Sequence, residues 1–301
     1  MKNMNKYENC LLCPRKCGIN RSTGQTGVCG VSSEIKVARA ALHYWEEPCI
    51  SGKKGSGAVF FSGCSLHCVF CQNREISDGK AGKVISKERL SDIFLELKAK
   101  GANNVNLVTP GQYIPDIVWA VSDARRRGME LPIVYNTSGY ENADELKQLE
   151  GIVDVYLPDF KYMDSALSAK YSRAKDYPYV AKQAISEMVR QQPRVVIDDA
   201  TGLIQKGVIV RQLLLPGHVN DAKTILKYLH DTYQDSIYIS MMSQFTPIAL
   251  KDYPEINRTV TKREYERLVD YALKIGITNA FIQEGDVAKD SFIPAFDCEG
   301  V

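Results

Sequence analysis

Residues 58–73 read Ala58-Val59-Phe60-Phe61-Ser62-Gly63-Cys64-Ser65-Leu66-His67-Cys68-Val69-Phe70-Cys71-Gln72-Asn73. The first four are an apolar, aromatic run of strand length, and Ser62 and Gly63 break it. Three cysteines follow, with three residues between the first pair and two between the second. Thiolates so close together hold one metal or cluster. Structural zinc and a cubane of four irons each take four ligands, so three protein ligands leave one position open for chemistry. A thiol loop leaving the carboxyl end of a strand sits where parallel α/β folds place their ligands.

Outward from this loop, strand and helix signals alternate. Ser86 caps a helix with Leu90, Ile93, Phe94 and Leu97 on its apolar face, ended by Gly101. Val105 to Val108 reads as a strand, Pro115 to Arg127 as a helix, and Ile133-Val134-Tyr135 as a strand. Then come a helix over 142–150, a strand from Val153 to Leu157, and a helix over 176–192 ended by Pro193. Strand-like runs follow at 195–197 and from Val208 to Leu215. Asp221 opens a helix to Thr232, Ile237-Tyr238-Ile239 is a strand, Thr261 to Glu264 is a capping box, and Ala280-Phe281-Ile282 is the last strand. About six βαβ units are countable, which gives an α/β fold with a parallel sheet.

With the aromatic Phe70 just before the last thiol, the loop resembles the cluster loop of the radical S-adenosylmethionine (SAM) enzymes. The resemblance implies that Cys64, Cys68 and Cys71 hold three irons of a [4Fe-4S] cluster. It implies that SAM chelates the fourth iron and that Phe70 lies near its adenine. The implied activity is reductive cleavage of SAM to methionine and a 5′-deoxyadenosyl radical, which takes a hydrogen atom from the substrate. The implied fold is a partial (β/α)6 barrel. The residues alone leave two other readings, a zinc loop and three ordinary buried thiols.

The loops after the strands carry the other candidates. Thr109-Pro110-Gly111-Gln112-Tyr113 stands where many radical SAM enzymes have Gly-Gly-Glu on the methionine amino group, and this chain departs from that pattern. Thr109 with backbone carbonyls takes that role by position, and a simple turn is an equal reading. Asn136 and Ser138, in Asn136-Thr137-Ser138-Gly139-Tyr140, are candidate SAM contacts or a plain helix-capping loop. Asp159-Phe160-Lys161 resembles the Asp-x-Lys motif of glycyl radical enzyme activases such as pyruvate formate-lyase activating enzyme. Side chains two apart on extended chain point the same way, so Asp159 and Lys161 face one ligand, Asp159 faces a monovalent cation, or the two form a buried salt bridge. Arg211 suits a carboxylate through its bidentate fork. His218, just past Gly217, matches a position where the activases have polar contacts to SAM. Ser243-Gln244-Phe245 and Gln283-Glu284-Gly285 close later strands.

Residues 1–50 read as a separate cysteine-rich module, and residues 51–301 as the barrel. Cys10, Cys13, Cys17 and Cys29 make a complete ligand set, with structural zinc and a second iron–sulfur cluster both open. This module, joined to the Cys64 loop, resembles uncharacterised relatives of pyruvate formate-lyase activating enzyme. Cys49 and Cys298 are expected to be ordinary thiols.

Composition bounds the partners. The chain of 301 residues is 45% hydrophobic with net charge +2, which supplies a sizeable core and no electrostatic case for nucleic acid. No apolar run approaches a membrane span, and Met1 to Lys6 lacks a signal-peptide core. Nine cysteines in a cytoplasmic protein argue for ligation rather than disulfides. The resemblance implies a glycyl radical enzyme as target and flavodoxin or ferredoxin as electron donor. Hydrogen abstraction from a small molecule or another protein residue is the alternative. The rival from another class is a non-catalytic iron–sulfur electron carrier or scaffold.

Overall fold

The computed structural model describes residues 6–248, 250–283 and 294–301. Among them the chain runs β1 (Ile35–His43), α1 (Pro48–Ser51), β2 (Ser56–Phe61), α2 (Arg74–Ser77), β3 (Lys83–Ile85), α3 (Lys87–Ala99) and β4 (Val105–Val108). It continues through α4 (Ile114–Arg126), β5 (Ile133–Thr137), α5 (Ala143–Leu146), β6 (Val155–Pro158), α6 (Ser165–Ser172), α7 (Tyr177–Gln191) and β7 (Val196–Ile197). The last elements are β8 (Ile204–Leu213), α8 (Val219–Tyr233), β9 (Tyr238–Met242), α9 (Lys262–Lys274) and β10 (Ala280–Ile282).

The sheet order is β10-β9-β8-β6-β5-β4-β2-β1-β3, and every pairing from β2 to β10 along it is parallel. The order does not return on itself, so this α/β fold is an open, partial barrel. β1 joins antiparallel to β2, and β3 antiparallel to β1, at one edge. β2, β4, β5 and β6 are buried along their whole length, as strands covered on both faces must be.

The helices close the outside for reasons written locally. Ser86 accepts the Arg89 amide at 3.1 Å to start α3, which buries Leu90, Ile93, Phe94 and Leu97. Thr261 and Glu264 form the expected capping box at α9. Three stretches depart from the sequence reading. Residues 142–150 split into α5 and a 3₁₀ turn. α6 was not foreseen, because its Ser- and Ala-rich sequence has almost no apolar face; Asp164 caps it through the Ala166 amide at 2.7 Å. α8 begins at Val219 rather than Asp221, whose carboxylate accepts the Met163 and Asp164 amides and so ties the helix to the loop after β6.

Residues 294–301 return to the opposite edge. The Cys298 amide donates to Ala38 at 2.9 Å and the Ala40 amide to Glu299 at 2.8 Å. Arg39 pairs with Asp297 and Glu299, and Phe296 packs on Phe60. The tail thus covers the part of β1 that β3 leaves open. No helix among the described residues is long and apolar enough to cross a membrane.

Candidate active site

A cavity of ≈ 230 Å³ lies inside the carboxyl ends of the parallel strands. Cys64, Cys68 and Cys71 line it from the loop after β2. That loop leaves the strand through Gly63 at φ +90°, where a Cβ would stand 2.7 Å from the Cys29 carbonyl oxygen. The Cys64 amide donates to the same oxygen at 3.2 Å, and His67 Nε2 meets the Val28 carbonyl at 2.6 Å. Arg15 donates to the carbonyls of Ser65 at 2.9 Å, Arg173 at 2.7 Å and Ser172 at 3.1 Å. The N-terminal segment therefore pins the thiol loop from outside.

The sulfurs have donors of their own. The Ser172 hydroxyl reaches Cys68 Sγ at 3.2 Å and the Leu66 amide reaches Cys64 Sγ at 3.4 Å. Burial pushes all three thiols up, Cys71 to about 12, while Lys161 pulls each of them back down. Such thiols stay protonated until a metal displaces the proton. Among the described residues, no three His, Cys, Asp or Glu side chains are drawn together tightly enough for a single metal ion. Three partly buried thiols on the rim of an open cavity instead fit a body several atoms wide. A four-iron cluster meets that condition, with one corner left to the cavity.

The far wall is a buried ion network. Asp159 and Lys161 follow β6 and pair at 2.5 Å. Arg211, on β8, donates to Asp159 at 2.8 Å, to the Asn136 side chain at 2.6 Å and to Glu46 at 3.2 Å. Glu46 also accepts from Asn106 at 3.0 Å and Asn136 at 3.1 Å. Burial drives the Asp159 carboxyl up, but the adjacent Arg211 and Lys161 charges outweigh it and hold the group below the usual carboxylate range. Burial drives Arg211 and Lys161 down, and their carboxylate neighbours more than reverse that. Asp159, Lys161 and Arg211 are thus ionised at neutral pH. Thr109 lines the cavity at φ +56°, a costly backbone for a β-branched residue and one found where function imposes it.

Residues 58–204 match the family model of the radical SAM superfamily. That match spans just under half of the chain. It is 27% identical over 281 residues to an uncharacterised protein of Methanocaldococcus jannaschii, covering 91% of this chain and 77% of that one. It also resembles the crystal structure of Streptococcus suis SuiB bound to S-adenosylmethionine, with TM-score 0.51 and 13% identity, over 74% of this chain and 48% of SuiB. The chain thus spans about half the length of that solved structure, and the likeness concerns the fold.

The cavity gathers nearly every candidate that the sequence offered. Phe70, Thr109, Asn136, Ser138, Asp159, Lys161, Arg211 and the three thiols all line it. Phe70 is 5% exposed and packs on Phe245. His218 does not line it. Its ring meets the Tyr171 hydroxyl at 3.2 Å, at the N-terminus of α8. Gln244 and Phe245 line the cavity, whereas Glu284 and Gly285 lie outside the described residues. Glu46 was missed. It belongs to no motif, and only the antiparallel course of β1 carries it under the barrel. Cys10, Cys13, Cys17 and Cys29 line a second, smaller cavity that shares Thr109 and Ser138 with the first.

Proposed function

We propose that this chain is a radical SAM enzyme whose Cys64, Cys68 and Cys71 hold the [4Fe-4S] cluster, and that its substrate is a glycine of a partner protein. The observation that carries the first part is the convergence of three thiols, from one loop, on a cavity whose far wall is charged. When bound, the cluster supplies one electron to SAM and so generates the 5′-deoxyadenosyl radical. The protein's share is placement. Phe70 offers an aromatic edge for the adenine. Asn136, Ser138, Asp159 and Lys161 offer donors and acceptors for the ribose, amino and carboxylate groups. The enclosing strands keep water from the radical.

The Asp159–Lys161 pair at the end of β6, resembling the activases, supports a glycyl target. A flavodoxin or ferredoxin would then serve as donor. The charged Glu46–Arg211–Asp159 wall favours a second reading, hydrogen abstraction from a small polar molecule. The test is anaerobic reconstitution with iron and sulfide, then SAM and dithionite. 5′-Deoxyadenosine is expected, and its loss in Cys68→Ala. A full cluster with SAM left intact, substrate candidates included, would favour an electron carrier instead. A glycyl radical signal on a candidate partner protein would separate the two substrate readings.

A further inference from the structure

The last turn of α6 lies against the thiol loop. The Tyr171 carbonyl accepts the Val69 amide at 2.9 Å, and the Ser172 carbonyl accepts from Arg15 at 3.1 Å. Arg15 also holds the Ser65 carbonyl at 2.9 Å. Main-chain carbonyls therefore dock this turn on the loop, and the Ser172 side chain takes no part in the docking. It points instead at the middle sulfur, with Ser172 Oγ 3.2 Å from Cys68 Sγ. Behind it stands Tyr162, whose hydroxyl lies 2.8 Å from Ser172 Oγ. Both side chains are fully buried. The Tyr162 ring is wedged between Phe70 and Tyr177, at 6.4 and 5.3 Å between ring centres.

A count of protons orients this chain of groups. Two hydroxyls carry two protons, and the bond between them uses one. Among the described residues neither hydroxyl has another partner, so the second proton goes to the sulfur. Tyr162 thus donates to Ser172, and Ser172 donates to Cys68; a buried hydroxyl proton with no acceptor would be costly. Of the three thiols on this loop, Cys68 is the one with a side-chain donor among the described residues, while Cys64 accepts from the Leu66 amide at 3.4 Å. Hydrogen bonds to the sulfurs are among the levers that set the potential of an iron–sulfur cluster. Reduction adds one negative charge, and a donor aimed at a sulfur favours the more negative state.

We propose that Ser172, backed by Tyr162, raises the reduction potential of the cluster held by Cys68, so that an electron donor can deliver the one electron that SAM cleavage consumes. This rests on the assignment of Cys64, Cys68 and Cys71 as the cluster ligands. Neither Ser172 nor Tyr162 lines the cavity, so both act through the Cys68 sulfur as positioning residues. No proton leaves either hydroxyl. Their O–H dipoles stay aimed at the sulfur in both redox states, in a place that water does not reach.

The test is an anaerobic redox titration of the reconstituted whole chain, without SAM, read by the electron paramagnetic resonance signal of the reduced cluster. The signal followed is the one that Cys68→Ala abolishes. In Ser172→Ala the midpoint should become more negative, the ratio of reduced to oxidised cluster at the parent midpoint falling about tenfold, a shift of about 59 mV for one electron. Tyr162→Phe keeps the ring packing and the Ser172 hydroxyl, and should move the midpoint the same way by less, since it removes only the donor behind Ser172. An unchanged midpoint in Ser172→Ala, or a less negative one, would overturn the proposal. If Ser172→Ala takes up no iron, Tyr162→Phe decides: a more negative midpoint supports the proposal and an unchanged one overturns it. A parent chain with no signal that depends on Cys68 would sink the proposed function and this inference together. A Cys68-dependent signal whose midpoint neither variant moves would sink this inference and leave the proposed function standing.

Discussion

Arg211→Met is the perturbation that most directly probes the cavity wall. The methionine keeps most of the side-chain volume but removes the cation shared by Asp159, Asn136 and Glu46. The side chains of Asp159 and Glu46 are only 14% and 10% exposed, so water replaces little of what is lost. Removing one partner of such a buried network costs about 3–5 kcal/mol. At a urea dependence of about 3 kcal/mol per molar, the unfolding midpoint should fall by roughly 1–1.7 M. The assay is urea unfolding of the metal-free, reduced chain followed by far-ultraviolet circular dichroism. The same variant has a pH signature. Asp159 is held low in the folded protein, so its contribution is fully present above the unfolded carboxylate pKa of about 4 and is lost as pH falls through the folded value. Without Arg211 the folded value rises, and acid unfolding should begin at higher pH. A midpoint shift below about 0.3 M, with an unchanged acid limb, would refute the view that this wall is an interdependent buried network.

Three further outcomes follow from the geometry. Gly139→Ala places a Cβ 2.2 Å from the Asp159 carbonyl oxygen at φ +75°; a loss of at least about 2 kcal/mol is expected in thermal unfolding, since the strained backbone alone costs about 1–2 kcal/mol. Arg15→Ala removes three hydrogen bonds between the N-terminal segment and the thiol loop region; iron should leave to a chelator faster while secondary structure by circular dichroism stays unchanged. Phe94→Ala empties a fully buried position in α3 and should cost about 3–5 kcal/mol by urea unfolding.

The barrel was legible because its signals are local. An apolar run broken by Ser62-Gly63, the Ser86 cap and the Thr261–Glu264 box each act within a few residues, and each reappears where the sequence placed it. Asp159 and Lys161 were legible as a pair because two-residue spacing on extended chain fixes their common direction. Arg211 was legible as a group suited to a carboxylate, but its partners could not be named. Glu46 sits 165 positions away and meets it only through the antiparallel return of β1. His218 stood beside a plausible glycine turn, yet the start of α8 turns its ring toward Tyr171.

The tail along β1 bears on how the molecule is made. Ala38 and Ala40 find their partners at Cys298 and Glu299, roughly 260 positions away. Closing so long a loop is entropically costly, and contacts of this kind form late. Until then half of β1 is an unpaired strand edge, the kind of surface through which partly folded chains stick to one another. Arg39 occupies the middle of that edge. While it waits for Asp297 and Glu299 its charge works as a guard against aggregation, so one residue serves the folding chain first as gatekeeper and the finished barrel afterwards as anchor.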